Sequence, residues 1–523
     1  MQSRWLQSVV SLVLLVGLVA PVPAIESAPA VEPITYIIKF PAPSEHRAEV
    51  ESVYPTGGRA AIELMMPIWT PGFYRVENYA GKVQDVSART LDGQSLKVEQ
   101  PAKNRWTIST GGATKVVASY KLKCDSRSVT TNWVGDDMAV LNGAATFLTL
   151  VESGSRPHDI RLELPSNWKQ SMTALDTAPD GKANHYRAPD FDTVVDSPIV
   201  AGNLDIHEFD VEGSKHLVVN TGDFAAWDGK RAAADLQKLV TEHRRMWGFL
   251  PFKRYVFLCA FRKGGGGLEH LASTLVTCDA ASMRSPASYL GWLNFVSHEY
   301  FHAFNVKRLR PIELGPFDYE KAPRTAGLWV AEGITCYYDA LLTTRAGLGA
   351  PKDFLVRLSG NIDRLQKTPG RLVQTLEQAS LDVWTSSFSG IGGGSKTVSY
   401  YIKGPIVAFL LDARIRRETN GAKTLDDVMK LAYQRYSGAK GFTPEQFRKT
   451  AEEVAGVDLG AWFEKTIRST EELDYAEALD WFGLRLTPSD ATAKNWRLEM
   501  LQDATDAQRS RLKAWLGPTR ESR

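Results

Sequence analysis

The chain lacks an excess of charge of either sign, and this absence narrows the classes of protein that it can represent. Its 523 residues include 62 basic and 60 acidic side chains, which gives a net charge of +2. No overall field therefore attracts nucleic acid or anionic lipid, and we expect no nucleic-acid partner. Hydrophobic residues make up 43% of the chain, a composition that argues against a disordered or fibrous protein.

Long apolar runs are also missing, except near the beginning. There, Arg4 precedes an apolar stretch from Val9 to Ala20, and the small residues Val22-Pro23-Ala24 follow. This pattern is typical of a secretory signal peptide, and the stretch is shorter than the ~20 residues that span a bilayer. We therefore expect a signal peptide at 1–24, a linker at 25–33 and a periplasmic or secreted protein. An uncleaved membrane anchor is the alternative.

Cysteine is scarce, since the chain has only four. Export would permit disulfides, and Cys259 and Cys278 lie on neighbouring predicted strands where they could pair. The simpler interpretation is that Cys124, Cys259, Cys278 and Cys336 are all buried free thiols.

Two regions of different periodicity make up the rest of the chain. Alternating polar and apolar residues, with Gly and Pro between segments, predict an antiparallel β domain over residues 34–206. Helical periodicity dominates residues 207–470, and residues 471–523 are interpreted as a short tail. The expected fold class is multidomain α+β, with helices at Ala225–Leu250, Ser288–Val306, Gly327–Arg345, Pro351–Gln366, Tyr400–Thr419, Thr424–Ser437, Thr443–Ala455 and Ala504–Leu516, and a Gly-rich loop at Ser389–Gly394.

The helix predicted around residue 300 carries His298-Glu299-Tyr300-Phe301-His302, an HExxH pattern. Histidines four residues apart lie on one helix face, so both imidazoles can bind one zinc ion at ~2.1 Å. Glu299 points about 100° around the helix, where its carboxylate can act as general base toward water instead of as a ligand. Unrelated surface histidines are the alternative, but the helix is strongly apolar, and buried imidazoles need partners.

A hydrolytic zinc site needs a third protein ligand and an open fourth position. Glu332 is the best candidate, because it lies on an apolar helical segment thirty residues after His302, beyond a loop that lets the chain reverse. Glu313 and Glu320 are rivals, but both lie in that polar loop. Asp339 is either a partner of a ligand histidine or an ordinary charge on the helix surface.

A glycine run and a glutamate precede the HExxH helix. The run includes Gly266 and Gly267 and follows a strand predicted at Tyr255–Phe261. Consecutive glycines let the backbone approach a bound peptide closely, and an edge strand beside them could pair with that peptide. Glu269, if close to the metal, would bind the free α-amine of a peptide and place the cut one residue from its N-terminus. A solvated glutamate on a flexible loop is the alternative.

Tyr400 and Tyr401 stand just before a long apolar helix. A phenol that points at the scissile carbonyl could stabilise the oxyanion. Either tyrosine could instead be core packing, and the residue types alone do not decide between them.

Together these motifs resemble the glycyl aminopeptidase family of gluzincin zinc metallopeptidases. The resemblance covers most of the chain after the signal peptide, through Met66–Tyr74, Gly266–His270, the HExxH pattern, Trp329–Gly333 and Tyr400–Gly404. It implies an N-terminal β domain, a thermolysin-like, mainly helical catalytic domain with one zinc ion, and removal of small N-terminal residues such as Gly or Ala from peptides.

The same resemblance implies individual roles. Glu269 occupies the position of the amine-binding carboxylate, and Tyr401 matches the transition-state tyrosine better than Tyr400 does. Gly266, Gly267 and Tyr400 are then expected to contact substrate. Such proteins commonly carry a C-terminal PDZ domain after a segment like Leu473–Leu484, whereas only about forty residues follow here. Recruitment or oligomerisation through that module is therefore in doubt.

The expected function is a zinc aminopeptidase with His298, His302 and Glu332 as ligands and Glu299 as base. An endopeptidase with the same zinc, in which Glu269 is structural, is one alternative. A non-enzymatic envelope protein, in which zinc only stabilises the fold and the β domain binds a partner, is the other.

Overall fold

A computed structural model describes residues 31–152, 154–384, 393–488 and 495–517. The expected signal peptide at 1–24 and most of the Gly-rich loop Ser389–Gly394 lie outside these residues. In the part that is described, β-sheets come first and helices dominate afterwards, so the predicted α+β fold class is confirmed. Within these ranges, no helix combines the length and hydropathy needed to cross a bilayer.

The N-terminal domain consists of three β-sheets that share one apolar core. It also holds two short helices, α1 (Gly143–Thr146) and α2 (Phe191–Val195). Its strands are β1 (Ile34–Lys39), β2 (Arg47–Pro55), β3 (Ala61–Met65), β4 (Val83–Thr90), β5 (Ser95–Leu96), β6 (Val98–Ala102), β7 (Arg105–Ser109), β8 (Lys115–Lys123), β9 (Trp133–Val134), β10 (Met138–Leu141), β11 (Thr149–Leu150), β12 (His158–Glu163), β13 (Gln170–Thr173), β14 (Asp176–Thr177), β15 (His185–Ala188) and β16 (Ile199–Gly202).

The largest of these sheets has eight strands in the order β14-β15-β12-β1-β2-β8-β4-β5. All of its neighbours are antiparallel except β1 and β12, which run parallel in register from Ile34 opposite His158. Side chains along β2 alternate between buried and partly exposed, as expected for a sheet with one face on the core. Two four-stranded sheets, β13-β16-β10-β9 and β11-β3-β7-β6, complete the domain.

A five-stranded sheet opens the second region. Its order is β17-β18-β19-β21-β20, so the short strand β20 lies at one edge. The first of these strands begins at residue 205, just inside the range 34–206 assigned to the β domain from sequence. The strands are β17 (Asp205–Val211), β18 (Ser214–Gly222), β19 (Arg254–Phe261), β20 (Gly266–Glu269) and β21 (Ser273–Cys278).

Helices then pack around one large core. They are α3 (Gly229–Trp247), α4 (Pro286–Phe301), α5 (Thr335–Arg345), α6 (Pro351–Gln366), α7 (Leu376–Leu381), α8 (Tyr400–Glu418), α9 (Leu425–Tyr436), α10 (Pro444–Ala455), α11 (Gly460–Phe463), α12 (Ala476–Phe482) and α13 (Asp506–Leu516). Turns of π-helix occur at Trp329–Ile334 and Glu464–Arg468, and 3-10 turns at Pro43–Glu45, Tyr79–Lys82, Ala280–Arg284, Ile312–Leu314 and Pro369–Leu372.

Two helices differ by several residues from the bounds that their sequence patterns predict. The helix expected at Ser288–Val306 ends at Phe301, and Val306 has φ +148°, a backbone conformation that a β-branched residue rarely adopts and that no helix contains. The helix expected at Ala225–Leu250 starts only after the Asp228 side chain accepts a hydrogen bond from Arg231 N. It ends at Gly248, whose left-handed φ of +89° stops the helix.

The residues after 470 join the core of the second region. A hairpin of β22 (Leu484–Pro488) and β23 (Trp496–Met500) packs against α6, and Trp515 of α13 is completely buried. All four cysteines are free thiols, so Cys259 and Cys278 do not form the disulfide that their strands would have allowed.

The segment between α4 and the first π-helical turn binds the β domain. The Trp69 indole donates to Asp318 O at 2.9 Å, and Arg105 pairs with Glu320 at 2.6 Å. Lys307 pairs with the buried Asp196 at 2.5 Å. These contacts bring the loop after β3, which includes Gly72 and Tyr74, to the cleft between the two regions.

Candidate active site

Three side chains from two helical segments meet at one point in the cleft. His298 lies in the last turn of α4 and His302 just beyond its end, while Glu332 projects from the first π-helical turn. The two Nε2 atoms are 2.9 Å apart, and Glu332 Oε2 lies 3.5 Å from His298 Nε2 and 3.2 Å from His302 Nε2. Ligand atoms ~2.1 Å from a tetrahedral zinc ion are about 3.4 Å apart, so the donor set fits such an ion.

The rival acids lie elsewhere. Glu320 is bound by Arg105 and Asn104, and Glu313 accepts a hydrogen bond from Thr325. Of the predicted carboxylates, only Glu332 among the described residues joins the histidines in a possible metal-binding group that includes both rings.

Asn305 organises two of the three ligands. Its carbonyl accepts a hydrogen bond from His302 Nδ1 at 2.8 Å, which leaves Nε2 with a free lone pair for a metal. Its side-chain amide donates to Val330 O at 2.9 Å and Ala331 O at 3.1 Å, carbonyls of the π-helical turn that carries Glu332. Asn305 was not among the predicted site residues, although an asparagine within an otherwise apolar run was a usable indication.

The other ring nitrogen of His298 faces a second carboxylate. Asp339 Oδ2 lies 3.7 Å from His298 Nδ1 and 2.5 Å from an Arg357 nitrogen, and Cys336 Sγ lies 3.6 Å from the same ring atom. Because Asp339 is only 1% exposed, it is not an ordinary surface charge. It lies where a carboxylate orients a metal-binding histidine.

Glu299 turns away from the three ligands, as the helix geometry predicts. Its carboxylate lies directly against the Gly267 backbone, where any Cβ would collide with Oε1. Oε2 is buried and has no hydrogen-bond partner among the described residues. Burial, opposed by the charge of His298 and reinforced by that of Glu269, raises the pKa of Glu299 to about 8.

Glu269 ends β20, the edge strand that contains Gly266 and Gly267. Its carboxylate lies against Gly72 of the β domain, where a Cβ would approach Oε1 to 2.5 Å. The side chain is 3% exposed, and Oε1 lacks a hydrogen-bond partner in the described part of the chain. Burial, partly offset by the charge of His302, raises the pKa of this carboxyl. The solvated-loop alternative is therefore wrong.

The two predicted tyrosines begin α8 and lie beside the ligand cluster. The Tyr401 ring centroid is 6.4 Å from that of His298, and the Tyr400 and Tyr401 rings are 4.7 Å apart. Gly333 and Gly404 allow this approach, because a Cβ on Gly404 would lie 2.6 Å from the Gly333 Cα. Burial and the charge of Glu332 hold the pKa of both phenols well above 10, so both can donate hydrogen bonds.

A cavity of about 790 Å³ is lined by the three ligand residues, by Glu269 and Glu299, and by both tyrosines. The β domain lines it with Gly72, Tyr74 and residues near Ser128, and the second region lines it with β20, the ligand cluster and the start of α8. The open edge of β20 borders this space, so an extended chain could pair with it.

A buried cleft with two imidazoles, one carboxylate ligand and an unliganded glutamate defines the class of protein as a metallopeptidase. The chain belongs to the M61 peptidase family. A family model described as the peptidase M61 N-terminal domain matches residues 35–203, and one described as M61 glycyl aminopeptidase matches residues 291–407. Together they cover more than half of the chain.

Several solved structures share this fold. A crystal structure described as an aminopeptidase N family protein from Idiomarina loihiensis is 27% identical, with a TM-score of 0.82 over 88% of this chain and 80% of that one. An M1 zinc metallopeptidase from Deinococcus radiodurans shares the fold at 14% identity, with a TM-score of 0.51 over 85% of this chain and 95% of that one. A mutant of that enzyme, bound to Tyr-Ser-Ala, scores 0.53 at 13% identity over the same shares. Among curated proteins, none is similar enough to match.

Proposed function

We propose that the protein is a zinc-dependent aminopeptidase that removes small N-terminal residues, Gly or Ala, from peptides. The main observation behind this proposal is the pairing of a three-ligand cluster with a buried carboxylate, Glu269, which lacks a partner for Oε1 within the described ranges. A buried carboxylate at the end of an open strand edge is suited to the ammonium group of a peptide whose backbone continues along that edge.

His298, His302 and Glu332 would hold the zinc ion. When bound, zinc would supply Lewis acidity toward water and toward the scissile carbonyl. Glu299 takes a proton from the attacking water and later passes it to the leaving amine, since its carboxylate has a free oxygen in the cleft. Glu269 fixes the ammonium, and Tyr401 donates a hydrogen bond to the carbonyl oxygen as negative charge develops on it.

Substitution of the proposed base tests this assignment. Glu299→Gln should keep one zinc per chain, while kcat on glycine and alanine anilides falls about 10³-fold. The reason is that the glutamine amide cannot accept a proton from the attacking water. Glu313→Gln is the matched control, since that glutamate is exposed, accepts a hydrogen bond from Thr325 outside the cavity, and should leave kcat unchanged when replaced. Loss of zinc together with activity in Glu299→Gln would contradict the role given to Glu299.

A second measurement tests exopeptidase action. Peptides with a free N-terminus should be cleaved at least 100-fold faster than their N-acetylated forms, because acetylation removes the charge that Glu269 binds. Equal rates would support an endopeptidase instead. A zinc-loaded sample that is inert on the whole Gly-to-Leu anilide series would support a binding protein whose zinc is structural.

We further propose that the protein is exported, on the basis of the positively charged, apolar and small-residue order of residues 1–24. Cell fractionation followed by N-terminal sequencing checks this proposal. A mature chain that begins near residue 25 outside the cytoplasm is expected, and an intact Met1 in the cytoplasmic fraction would contradict it.

A further inference from the structure

Three buried polar atoms at the cleft lack a hydrogen-bond partner within the described part of the chain: Glu269 Oε1, Glu299 Oε2 and the hydroxyl of Tyr74. Buried polar groups are almost always paired, so each of these needs an explanation. The proposed function explains the first two atoms, because the substrate ammonium would donate to Glu269 Oε1 and the attacking water would donate to Glu299 Oε2. It leaves the Tyr74 hydroxyl unexplained.

Tyr74 comes from the β domain but belongs to the cavity. Its side chain is 7% exposed and packs in the core of the second region, with its ring perpendicular to Trp384 at a centroid distance of 6.1 Å. It lines the same cavity as the ligand cluster. Glu269 and Glu332 line this cavity as well, and burial together with their negative charges holds the pKa of Tyr74 well above 10.

The cavity that Tyr74 shares with these two carboxylates identifies the missing partner. In the working enzyme, Glu332 is committed to the metal and Glu269 to the ammonium. The first carbonyl of the peptide is attached to the carbon that bears the ammonium and must also reach the metal, so it lies between the two glutamates. The oxygen of this carbonyl is the hydrogen-bond acceptor that a bound peptide would place near Tyr74. The neutral phenol of Tyr74 is a donor, so the two can pair.

We propose that Tyr74 is a further catalytic residue, which donates a hydrogen bond to the carbonyl oxygen of the first residue and stabilises that oxygen as it becomes negative. This inference rests on the proposed function. With Tyr401 on α8, it gives the oxyanion two donors, one from each region of the chain. No covalent bond to Tyr74 forms, and its proton stays on the phenol.

The test compares Tyr74→Phe with Tyr79→Phe. Tyr79 is a buried tyrosine five residues away that packs in the β-domain core, so it controls for loss of a buried hydroxyl. Tyr74→Phe should lower kcat on glycine anilide about 100-fold, with KM changed less than threefold and zinc content unchanged. Tyr79→Phe should leave kcat within twofold of the wild type.

Three results would overturn the inference: a Tyr74→Phe kcat within twofold of wild type, an equal loss in Tyr79→Phe, or a Tyr74→Phe variant that loses zinc. The last would show that the hydroxyl supports Glu332 instead. A wild type that turns over no aminoacyl substrate would contradict the proposed function itself, whereas an active wild type with an unaffected Tyr74→Phe would remove only this inference.

A binding measurement keeps the test independent of turnover and of the folding of Tyr74→Phe. Aminomethylphosphonic acid, whose tetrahedral oxygens resemble the oxyanion of a glycine substrate, is titrated into zinc-loaded protein carrying 3-fluorotyrosine at position 74. The fluorine resonance should shift on binding, because the neighbouring hydroxyl gains an acceptor. An unchanged resonance at saturation would overturn the inference.

Discussion

The two sides of the cleft differ in how their polar atoms are paired. On the metal side, formed by His298, His302 and Glu332, the protein itself supplies the surroundings: Asn305 binds His302, and Asp339 faces His298. On the substrate side, formed by Glu269, Glu299 and Tyr74, one polar atom of each side chain is buried without a partner in the described ranges.

This difference distinguishes two kinds of preorganisation. Paired groups fix ligand directions before a metal arrives, which lowers the cost of binding it. Unpaired buried groups are costly to the folded protein by about 1–3 kcal/mol each, a cost that a substrate with matching groups removes. An unpaired atom in a cleft therefore indicates what the ligand must provide.

The largest effect is expected when the metal side is broken. Glu332→Ala should abolish stoichiometric zinc binding and lower kcat/KM at least 10⁴-fold, because two imidazoles alone do not make a hydrolytic zinc site. Zinc content after dialysis and initial rates on alanine anilide measure this. Glu313→Ala, in the loop before the π-helical turn, should keep both properties. A Glu332→Ala enzyme that retained one tightly bound zinc would refute the ligand set.

A smaller effect is expected when a substitution in the β domain distorts the substrate side. Gly72→Ala places a Cβ against the Glu269 carboxyl group and should lower kcat/KM about 100-fold, mainly through KM. Gly93→Ala is the matched control. Its φ of +95° is almost the same as the +96° of Gly72, but a Cβ at Gly93 would meet only open space.

Both variants strain a backbone of positive φ, so both melting temperatures should fall, and that of Gly72→Ala should fall further because its Cβ also collides with Glu269. Only Gly72→Ala should lose activity. An equal loss of kcat/KM in Gly93→Ala would show that strain, and not the displacement of Glu269, causes the defect.

The smallest effect concerns the apolar layer behind the metal side. His243 Nε2 lies 3.1 Å from Ser297 Oγ on α4, and burial lowers the pKa of His243 to about 3. The pKa of His243 is lower in the folded protein than in the unfolded chain. The contribution of neutral His243 to stability is therefore fully present above pH 6.5 and is lost as the pH falls toward 3. Protonation of His243 alone should lower the free energy of unfolding by up to about 2 kcal/mol between pH 7 and pH 5.

Urea unfolding at the two pH values measures this loss, and His243→Leu should reduce it. Urea curves for His243→Leu that shift with pH as much as those of the wild type would show that other groups cause the acid sensitivity.

Local patterns predicted the parts of the molecule that depend on local geometry. The four-residue spacing of His298 and His302 was sufficient to predict that both rings meet at one point. The predicted helix at Pro351–Gln366 has the bounds that the structure shows.

Features that depend on distant segments could not be predicted. The π-helical turn around Glu332 accepts hydrogen bonds from the distant Asn305 amide, and Val306, five residues after the end of α4, has an unusual φ. The contact between Gly72 and Glu269 joins residues almost two hundred positions apart, in different domains. The orientation of Tyr74 likewise follows from domain packing, which no periodicity encodes.

The close approach of Gly333 and Gly404 has a mechanical consequence. With only hydrogen atoms between the two backbones, no side chain can act as a compressible spacer, so we expect the π-helical turn and the start of α8 to shift together. Movement of the tyrosine pair toward or away from a bound peptide would therefore displace Glu332 as well. We therefore expect the affinity of the proposed zinc site and the fit of the substrate carbonyl to be linked quantities.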